Sequence, residues 1–174
     1  MNMRVLFLLA TGILLSGCVT LQPDATFEGL SLVREEPPDI VAQYSLPGRS
    51  APVNPLTGRM RLDFAVDIDL YEVMEDKGFM LAYDANICDS GDRIVKDPDI
   101  FENRTVPVDA QGKIHHYSVF LRPSWQGHDY DLKQRPESFC VEVRAGILGS
   151  PYYYRSNTLV VDREQVIRAF EPEE

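Results

Sequence analysis

The side chains best suited to catalysis in this sequence are its three histidines, His115, His116 and His128. A serine hydrolase needs a histidine that contacts a hydroxyl group and is oriented by a carboxylate. Ser124, His128 and Asp129 are close in the sequence, but their spacing matches no catalytic motif, and no Gly-x-Ser-x-Gly elbow occurs. We therefore expect a protein that is not an enzyme.

Metal binding is a second chemistry that histidines and carboxylates could support. His115 and His116 are adjacent, so in a strand their side chains would point to opposite faces and could not reach one ion. Asp67 and Asp69 would share one face of a predicted strand, but a flat face does not supply the roughly six to eight oxygen ligands that Ca²⁺ takes. We expect no metal and no cofactor.

The first residues have the pattern of an export signal. Arg4 provides a short positive region, and the mostly apolar stretch 5–15 has about the length of a signal-peptide core, which is too short to span a bilayer. Two small residues, Ser16 and Gly17, precede Cys18. The pattern predicts a cleaved signal peptide over residues 1–17.

The sequence Leu15-Ser16-Gly17-Cys18 resembles the lipobox of bacterial lipoproteins. The resemblance implies that Cys18 carries a diacylglycerol and becomes the first residue of the exported chain. Two or more acyl chains hold a protein stably on a bilayer. Because Val19 replaces the aspartate that favours inner-membrane retention in enterobacterial lipoproteins, we expect an outer-membrane anchor facing the periplasm. The alternative is an ordinary secreted protein with a chance cysteine near the cleavage site.

The remaining cysteines, Cys88 and Cys140, are expected to form a disulfide. Exported chains enter an oxidising compartment, and the odd total of three cysteines leaves these two to pair if Cys18 is lipidated. The strand pattern places both on polar faces or at strand ends. The disulfide should therefore join strands outside the core.

Charge limits the choice of partners. The chain has 17 basic and 27 acidic side chains, a formal net charge of −10. Such a protein repels nucleic acid and anionic lipid headgroups, so we expect no nucleic-acid partner and an exported protein partner with a basic face. The alternative is that the charge serves solubility alone. The length suits residues 18–26 as lipidated cysteine and tether, followed by one domain over residues 27–174.

Strict alternation is the clearest structural pattern, and it runs through MRLDFAVDIDLY at residues 60–71. Apolar residues at every second position predict a strand with one buried and one exposed face. Weaker alternation predicts further strands over residues 27–33, 40–46, 80–88, 117–122, 138–146 and 157–161. Asp162, with Gln165 three residues later, predicts one short helix over residues 163–170.

These elements predict a mainly β fold. Two packed antiparallel sheets bury one face of each strand most simply. The expected architecture resembles an immunoglobulin-like or transthyretin-like β-sandwich with one short C-terminal helix. Cysteines on polar faces and Trp125 far from Cys88 depart from the antibody pattern.

Two aromatic loops are the predicted partner-binding surface. Tyrosine, tryptophan and arginine are enriched at binding hot spots because they offer large contact areas. The predicted contact residues are Tyr152, Tyr153, Tyr154, Arg155 and Trp125, with Asp67 and Asp69 to attract a basic partner. The expected function is a non-catalytic binding module, most simply an inhibitor or immunity protein that neutralises an envelope-acting toxin or hydrolase. The alternative is a structural component of an envelope or secretion assembly.

Overall fold

The structure is a computed structural model that describes residues 24–38, 40, 55–77, 80–103, 106, 108–109, 111–146 and 154–172. Within these residues the chain forms eight strands and two short helices. The strands are β1 (Ala25–Leu32), β2 (Met60–Val66), β3 (Met80–Ile87), β4 (Lys96–Glu102), β5 (His115–Leu121), β6 (Phe139–Gly146), β7 (Tyr154–Arg155) and β8 (Leu159–Val161). The helices are α1 (Leu70–Lys77) and α2 (Arg163–Phe170).

The strands form two antiparallel sheets. The first has the order β1-β2-β5-β4, and the second has the order β3-β6-β7, with β8 also paired to β6. Alternate apolar residues of both sheets point inward and form one buried core. Most of the inward-facing side chains of β2, β5 and β6 belong to this core. The mainly β prediction is confirmed, and the arrangement is consistent with a β-sandwich.

The long alternating pattern ends earlier than predicted. β2 stops at Val66, and a helix begins at Leu70, so the strand prediction over residues 67–71 is wrong. The Asp69 carboxylate accepts hydrogen bonds from the backbone N–H groups of Tyr71 and Glu72, at 2.9 and 3.1 Å. These bonds cap the first turn of α1, and a helix cap outweighs the period-two pattern here. The prediction of a single helix is corrected accordingly.

The C-terminal helix lies where the sequence predicts it, over Arg163–Phe170. The Gln165 side chain accepts a hydrogen bond from the Asp162 N–H at 2.8 Å, as in a capping box. Val166 and Ala169 are buried. α2 therefore packs against β1 through an apolar stripe, and Val166 is part of the main core.

The first described strand begins inside the predicted tether. Ala25 pairs with Val66, and the Asn157 side chain accepts a hydrogen bond from the Ala25 N–H and donates one to its carbonyl oxygen, at 2.6 and 2.9 Å. Ala25 and Thr26 thus belong to the domain, because the sheet and Asn157 satisfy their backbone. The predicted strand over residues 40–46 lies outside the described residues, except for buried Ile40.

A small second core covers the outer face of the first sheet. It consists of Val33, Ile40, Leu56, Phe101 and Phe120. Phe101 and Phe120 point away from the main core and meet edge to face, with ring centres 5.6 Å apart. Val33, Ile40 and Leu56, which lie between β1 and β2, therefore provide an apolar cover for the sheet.

The predicted disulfide between Cys88 and Cys140 is confirmed. In the register of β3 and β6, Cys140 lies opposite Asn86, which is two residues before Cys88. The disulfide therefore joins neighbouring strands on the outer face of the second sheet, as the strand phase predicts. No helix among the described residues is long and apolar enough to cross a bilayer.

Candidate partner-binding surface

The predicted contact residues can be located relative to the two ends of the sandwich. The starts of β1 and β5 and the end of β2 lie at the Ala25 end, because Ala25 pairs with Val66 and Val66 pairs with His115. β7 lies at the same end, where it pairs with the last part of β6. At the Trp125 end lie the ends of β3 and β5 and the start of β6, together with the loop over residues 122–138. β6 has eight residues, so its two ends are about 23 Å apart at about 3.3 Å per residue.

Trp125 lies in this loop, hereafter the Trp125 loop, and is 42% exposed. The guanidinium carbon of Arg122 lies 4.0 Å from the centre of its ring, so one face of the indole is covered by a cation. The Arg122 N–H donates to the carbonyl oxygen of Val95 at 2.8 Å. The indole is thus held in place while part of it remains accessible to a partner.

Hydrogen bonds make the Trp125 loop a well-defined structure. Leu132 N–H donates to the carbonyl oxygen of Pro123 at 2.8 Å, which closes the base of the loop. The Tyr130 hydroxyl accepts a hydrogen bond from Val95 N–H at 2.9 Å. Gly127 has a φ of +87°, a left-handed conformation that favours glycine at the tip. A surface ordered before binding loses less conformational entropy when a partner arrives.

Tyr154 is in the core and not on the surface. Its side chain has no exposed area, and it belongs to the main apolar cluster. Burial, and to a smaller extent the negative charge of Asp67, raise the pKa of its hydroxyl well above the ordinary range. Its assignment to the contact surface is wrong, because pairing with Ala145 turns the ring inward. Tyr152 and Tyr153 lie outside the described residues.

Tyr154 and the Trp125 loop lie at opposite ends of the sandwich. Tyr154 pairs with Ala145 near the end of β6, whereas the Trp125 loop precedes the start of β6 at Phe139. Among the described residues, Tyr154 and the Trp125 loop therefore share no recognition surface. Sequence distance alone did not show this, because the separation depends on the direction of β6.

Arg155 is the outermost member of an ion-pair network on the second sheet. Its guanidinium donates two hydrogen bonds to the two carboxylate oxygens of Glu142, both at 2.8 Å. Arg144 donates to Glu142 at 2.9 Å and also contacts Asp84 at 2.8 Å. Thr158 Oγ donates to Glu142 at 2.9 Å. The network neutralises Asp84 and Glu142, which lie directly opposite each other on β3 and β6.

These donors set the acidity of Glu142. The hydrogen bonds from Arg155, and those from Arg144 and Thr158, lower the pKa of Glu142 to about 2, against the opposing effect of burial. A carboxylate that gains such partners on folding stabilises the folded state above its unfolded pKa. That stabilisation is lost as the pH falls through the folded pKa.

We predict that Glu142→Gln lowers the free energy of unfolding at pH 7 by about 1–2 kcal/mol, because charge-assisted hydrogen bonds are lost and Arg155 is largely exposed. The difference between the wild type and this variant should shrink between pH 5 and pH 2, about the window that separates the two pKa values. Urea unfolding of both proteins at several pH values measures this difference in the free energy of unfolding. Glu75→Gln, at an exposed site on α1, is the control and should change the free energy of unfolding at pH 7 by less than about 0.5 kcal/mol. A constant difference for Glu142→Gln would contradict the prediction.

The two aspartates expected to attract a partner lie at the Ala25 end. Asp67 is exposed just after β2, whereas Asp69 caps α1 and also lies 3.4 Å from the Tyr117 hydroxyl. Asp69 thus has a structural role that the alternation pattern concealed. Neither residue lies on the exposed strand face for which it was predicted.

The adjacent histidines point to opposite sides, as predicted for a strand. His115 Nδ1 lies 3.9 Å from an Asp69 oxygen, whereas His116 Nδ1 lies 2.8 Å from a Glu28 oxygen on β1. Within the described part of the chain, no three His, Cys, Asp or Glu side chains come together as a metal-binding group. Both adjacent histidines thus have a carboxylate neighbour.

Comparison of the chain with family models, with curated proteins and with solved structures gave no match. The site must therefore be interpreted from its own geometry. Two contributors were missed from the sequence, Arg122 and Glu142. The alternation of Glu142 and Arg144 on one face of β6 was a signal for the network, but nothing near Trp125 in the sequence distinguishes Arg122 as its stacking partner.

Proposed function

We propose that this protein is a lipid-anchored, periplasm-facing binding module that works without catalysis, most simply as an inhibitor or immunity protein for an envelope-acting toxin or hydrolase. The observation that carries the proposal is the Trp125 loop, a hydrogen-bonded loop that presents a partly exposed indole. Ordered aromatic residues of this kind are typical binding hot spots. The lipobox-like sequence ending at Cys18 supports the anchor.

Net charge supports the choice of partner. At −10, the chain attracts basic proteins over distances of about a Debye length and accelerates their encounter. An exported protein with a basic face is the partner that this field favours. Its association rate should fall as salt is raised, because screening weakens the steering.

We also propose that the sandwich is of the immunoglobulin constant type. That fold has the strand orders A-B-E-D and C-F-G. The same order results here if β7 and β8 are counted as one interrupted strand. The disulfide differs, since it lies within one sheet. Cross-strand nuclear Overhauser contacts of Leu62 with Val119 and of Tyr83 with Val143 test the assignment, and their absence would overturn it.

The test of function is capture from an envelope extract, with the anchored protein as bait. A single stoichiometric partner whose hydrolytic or toxic activity falls on binding supports the proposal. Several envelope components that bind together would favour the assembly role instead. Recovery of folded bait without any protein would count against both.

We predict that Trp125→Ala weakens partner binding about 30-fold or more, corresponding to a hot spot of about 2 kcal/mol or more. The melting temperature should change little, because part of the ring is exposed. The matched control is Val160→Ala, which truncates an apolar side chain that is 51% exposed on the second sheet. Titration of the captured partner by calorimetry measures both variants. Equal affinities would show that the Trp125 loop is not the contact.

A further inference from the structure

Arg122 is a partly buried cation that has no carboxylate partner among the described residues. Four other partly buried arginine and lysine side chains each have one, in the pairs Arg59–Asp97, Arg61–Asp63, Lys96–Asp84 and Arg144–Asp84, at 2.9, 2.8, 3.6 and 2.8 Å. Removing a cation from water is costly unless an opposite charge compensates it. The fold supplies that compensation at four sites and leaves the charge of Arg122 without it.

The guanidinium group of Arg122 has donors that no described residue uses. Its carbon lies 4.0 Å from the centre of the Trp125 ring, and its Nε is buried without a hydrogen-bond partner in the described part of the chain. An arginine that stacks on an aromatic ring keeps its in-plane N–H groups available. Because Nε is covered, Nη1 and Nη2 are the donors that an incoming group can reach. Together they fit two oxygen atoms of one planar acceptor.

The local potential at the base of the Trp125 loop is positive, although the whole chain is acidic. Burial raises the pKa of the Tyr130 hydroxyl, and the positive charges of Arg122 and Arg59 oppose that rise. Both arginines are therefore close enough to this hydroxyl to act on it. Since Asp97 lies 2.9 Å from Arg59, the uncompensated charge at this point is that of Arg122.

A partner that covers Trp125 would also remove water from the neighbouring guanidinium group. Leaving that cation without an acceptor would weaken the complex. A carboxylate replaces the lost water with two charge-assisted hydrogen bonds in one plane, which a neutral amide or a hydroxyl group does not. The exposed part of the indole, 42% of the residue, is available beside it for an apolar contact.

We propose that Arg122 is a carboxylate-binding site, filled by an aspartate or glutamate side chain of the protein partner, which bonds end-on to Nη1 and Nη2 while Trp125 packs against the surface around it. This inference rests on the proposed function and adds the chemistry of the contact. The net charge of −10 attracts a basic face at long range, whereas Arg122 recognises one acidic group within that face. Such a contact fixes the register of the complex.

Affinity measurements with the captured partner test the contact. Arg122→Gln should weaken binding about 30-fold or more, the effect of truncating a buried, hydrogen-bonded charge pair at an interface. Arg122→Lys keeps the charge but cannot form the paired bonds, and it should weaken binding about 10-fold. Lys113→Gln removes the same charge at an exposed site near the Ala25 end and should change the affinity less than about threefold. All three variants should keep the wild-type melting temperature to within a few degrees.

A double-mutant cycle identifies the acidic group. Each aspartate and glutamate on the contact surface of the partner is changed to the corresponding amide. One of these changes should weaken binding to the wild type about 30-fold and binding to Arg122→Gln less than about threefold. The absence of any coupled residue, or an Arg122→Lys variant that binds as tightly as the wild type, would overturn the inference.

Sodium benzoate tests the site without any partner. Trp125 is the sole tryptophan of the chain, so its indole N–H gives a single nuclear magnetic resonance signal. Benzoate at constant ionic strength should shift this signal with half-saturation at about 10 mM, as expected for so small a ligand. Neutral benzamide, or benzoate added to Arg122→Gln, should give no saturable shift. Equal shifts in these controls would overturn the carboxylate site. A selective benzoate response without any captured protein would support the site and reject the protein partner of the proposed function.

Discussion

Replacing Tyr154 by alanine will lower the free energy of unfolding by about 3–5 kcal/mol, the range for removal of a large buried aromatic side chain. Tyr154 has no exposed surface and packs in the main core of the sandwich. The cavity left behind would be lined by both sheets and could close only partially. Such a loss is a large share of the stability of about 5–15 kcal/mol that is typical of a domain. Chemical denaturation of the wild type and the variant measures it.

The companion variant, Tyr154→Phe, separates the ring from its hydroxyl group. Among the described residues, Tyr154 Oη is buried without a hydrogen-bond partner. Removing a buried hydroxyl that forms no hydrogen bond is neutral or raises stability by up to about 1 kcal/mol. A loss of more than about 1 kcal/mol for Tyr154→Phe would reveal a partner for the hydroxyl. A small loss for Tyr154→Ala would mean that the ring is not in the core.

Removing the disulfide should have an effect of similar size. Cys88 and Cys140 are 52 residues apart in the sequence. Chain-entropy arithmetic for such a loop gives about 4 kcal/mol, and measured losses for native disulfides are about 2–5 kcal/mol. We therefore expect the double variant Cys88→Ala/Cys140→Ala to unfold at a markedly lower denaturant concentration. Reduction of the wild type with a thiol reagent should also lower the denaturant concentration at which the protein unfolds.

A matched control distinguishes the cross-link from local packing. The single variants Cys88→Ala and Cys140→Ala, compared under reducing conditions with the reduced wild type, should differ little from it because both side chains are only partly buried. A free-thiol count on oxidised, denatured protein should detect neither Cys88 nor Cys140. Two reactive thiols, or a double variant as stable as the wild type, would contradict this prediction.

Local patterns were sufficient where one interaction dominates the conformation. The alternation of apolar residues from Met60 to Val66 predicts β2, because a period of two buries one face of a strand. The capping residues Asp162 and Gln165 predict α2. The polar-face position of Cys88 and Cys140 also follows from strand phase, so the site of the disulfide outside the core could be deduced without the tertiary fold.

The same reasoning failed where two local signals compete. Ile68 and Leu70 continue the alternation, yet the structure begins a helix at Leu70. An aspartate such as Asp69 can cap a helix or lie on a strand face. Which of the two conformations it adopts depends on groups that are distant in the sequence. The Tyr117 hydroxyl of β5 accepts a hydrogen bond from the Leu70 N–H at 2.9 Å. Periodicity contains no information about this contact across 47 residues.

The binding surface shows the division between sequence and tertiary structure most clearly. Residue type identified Trp125, Tyr154 and Arg155 as suited to recognition, because side-chain chemistry is a local property. Only the fold decided that Tyr154 is buried by pairing with Ala145, that Arg155 binds Glu142, and that Trp125 stacks on Arg122 at the opposite end. Exposure and proximity arise from the register and direction of strands that are distant in the chain. Net charge, by contrast, is a property of composition alone, and the lipobox-like pattern that predicts an export signal is a property of residue order, so neither depends on where any element lies in space.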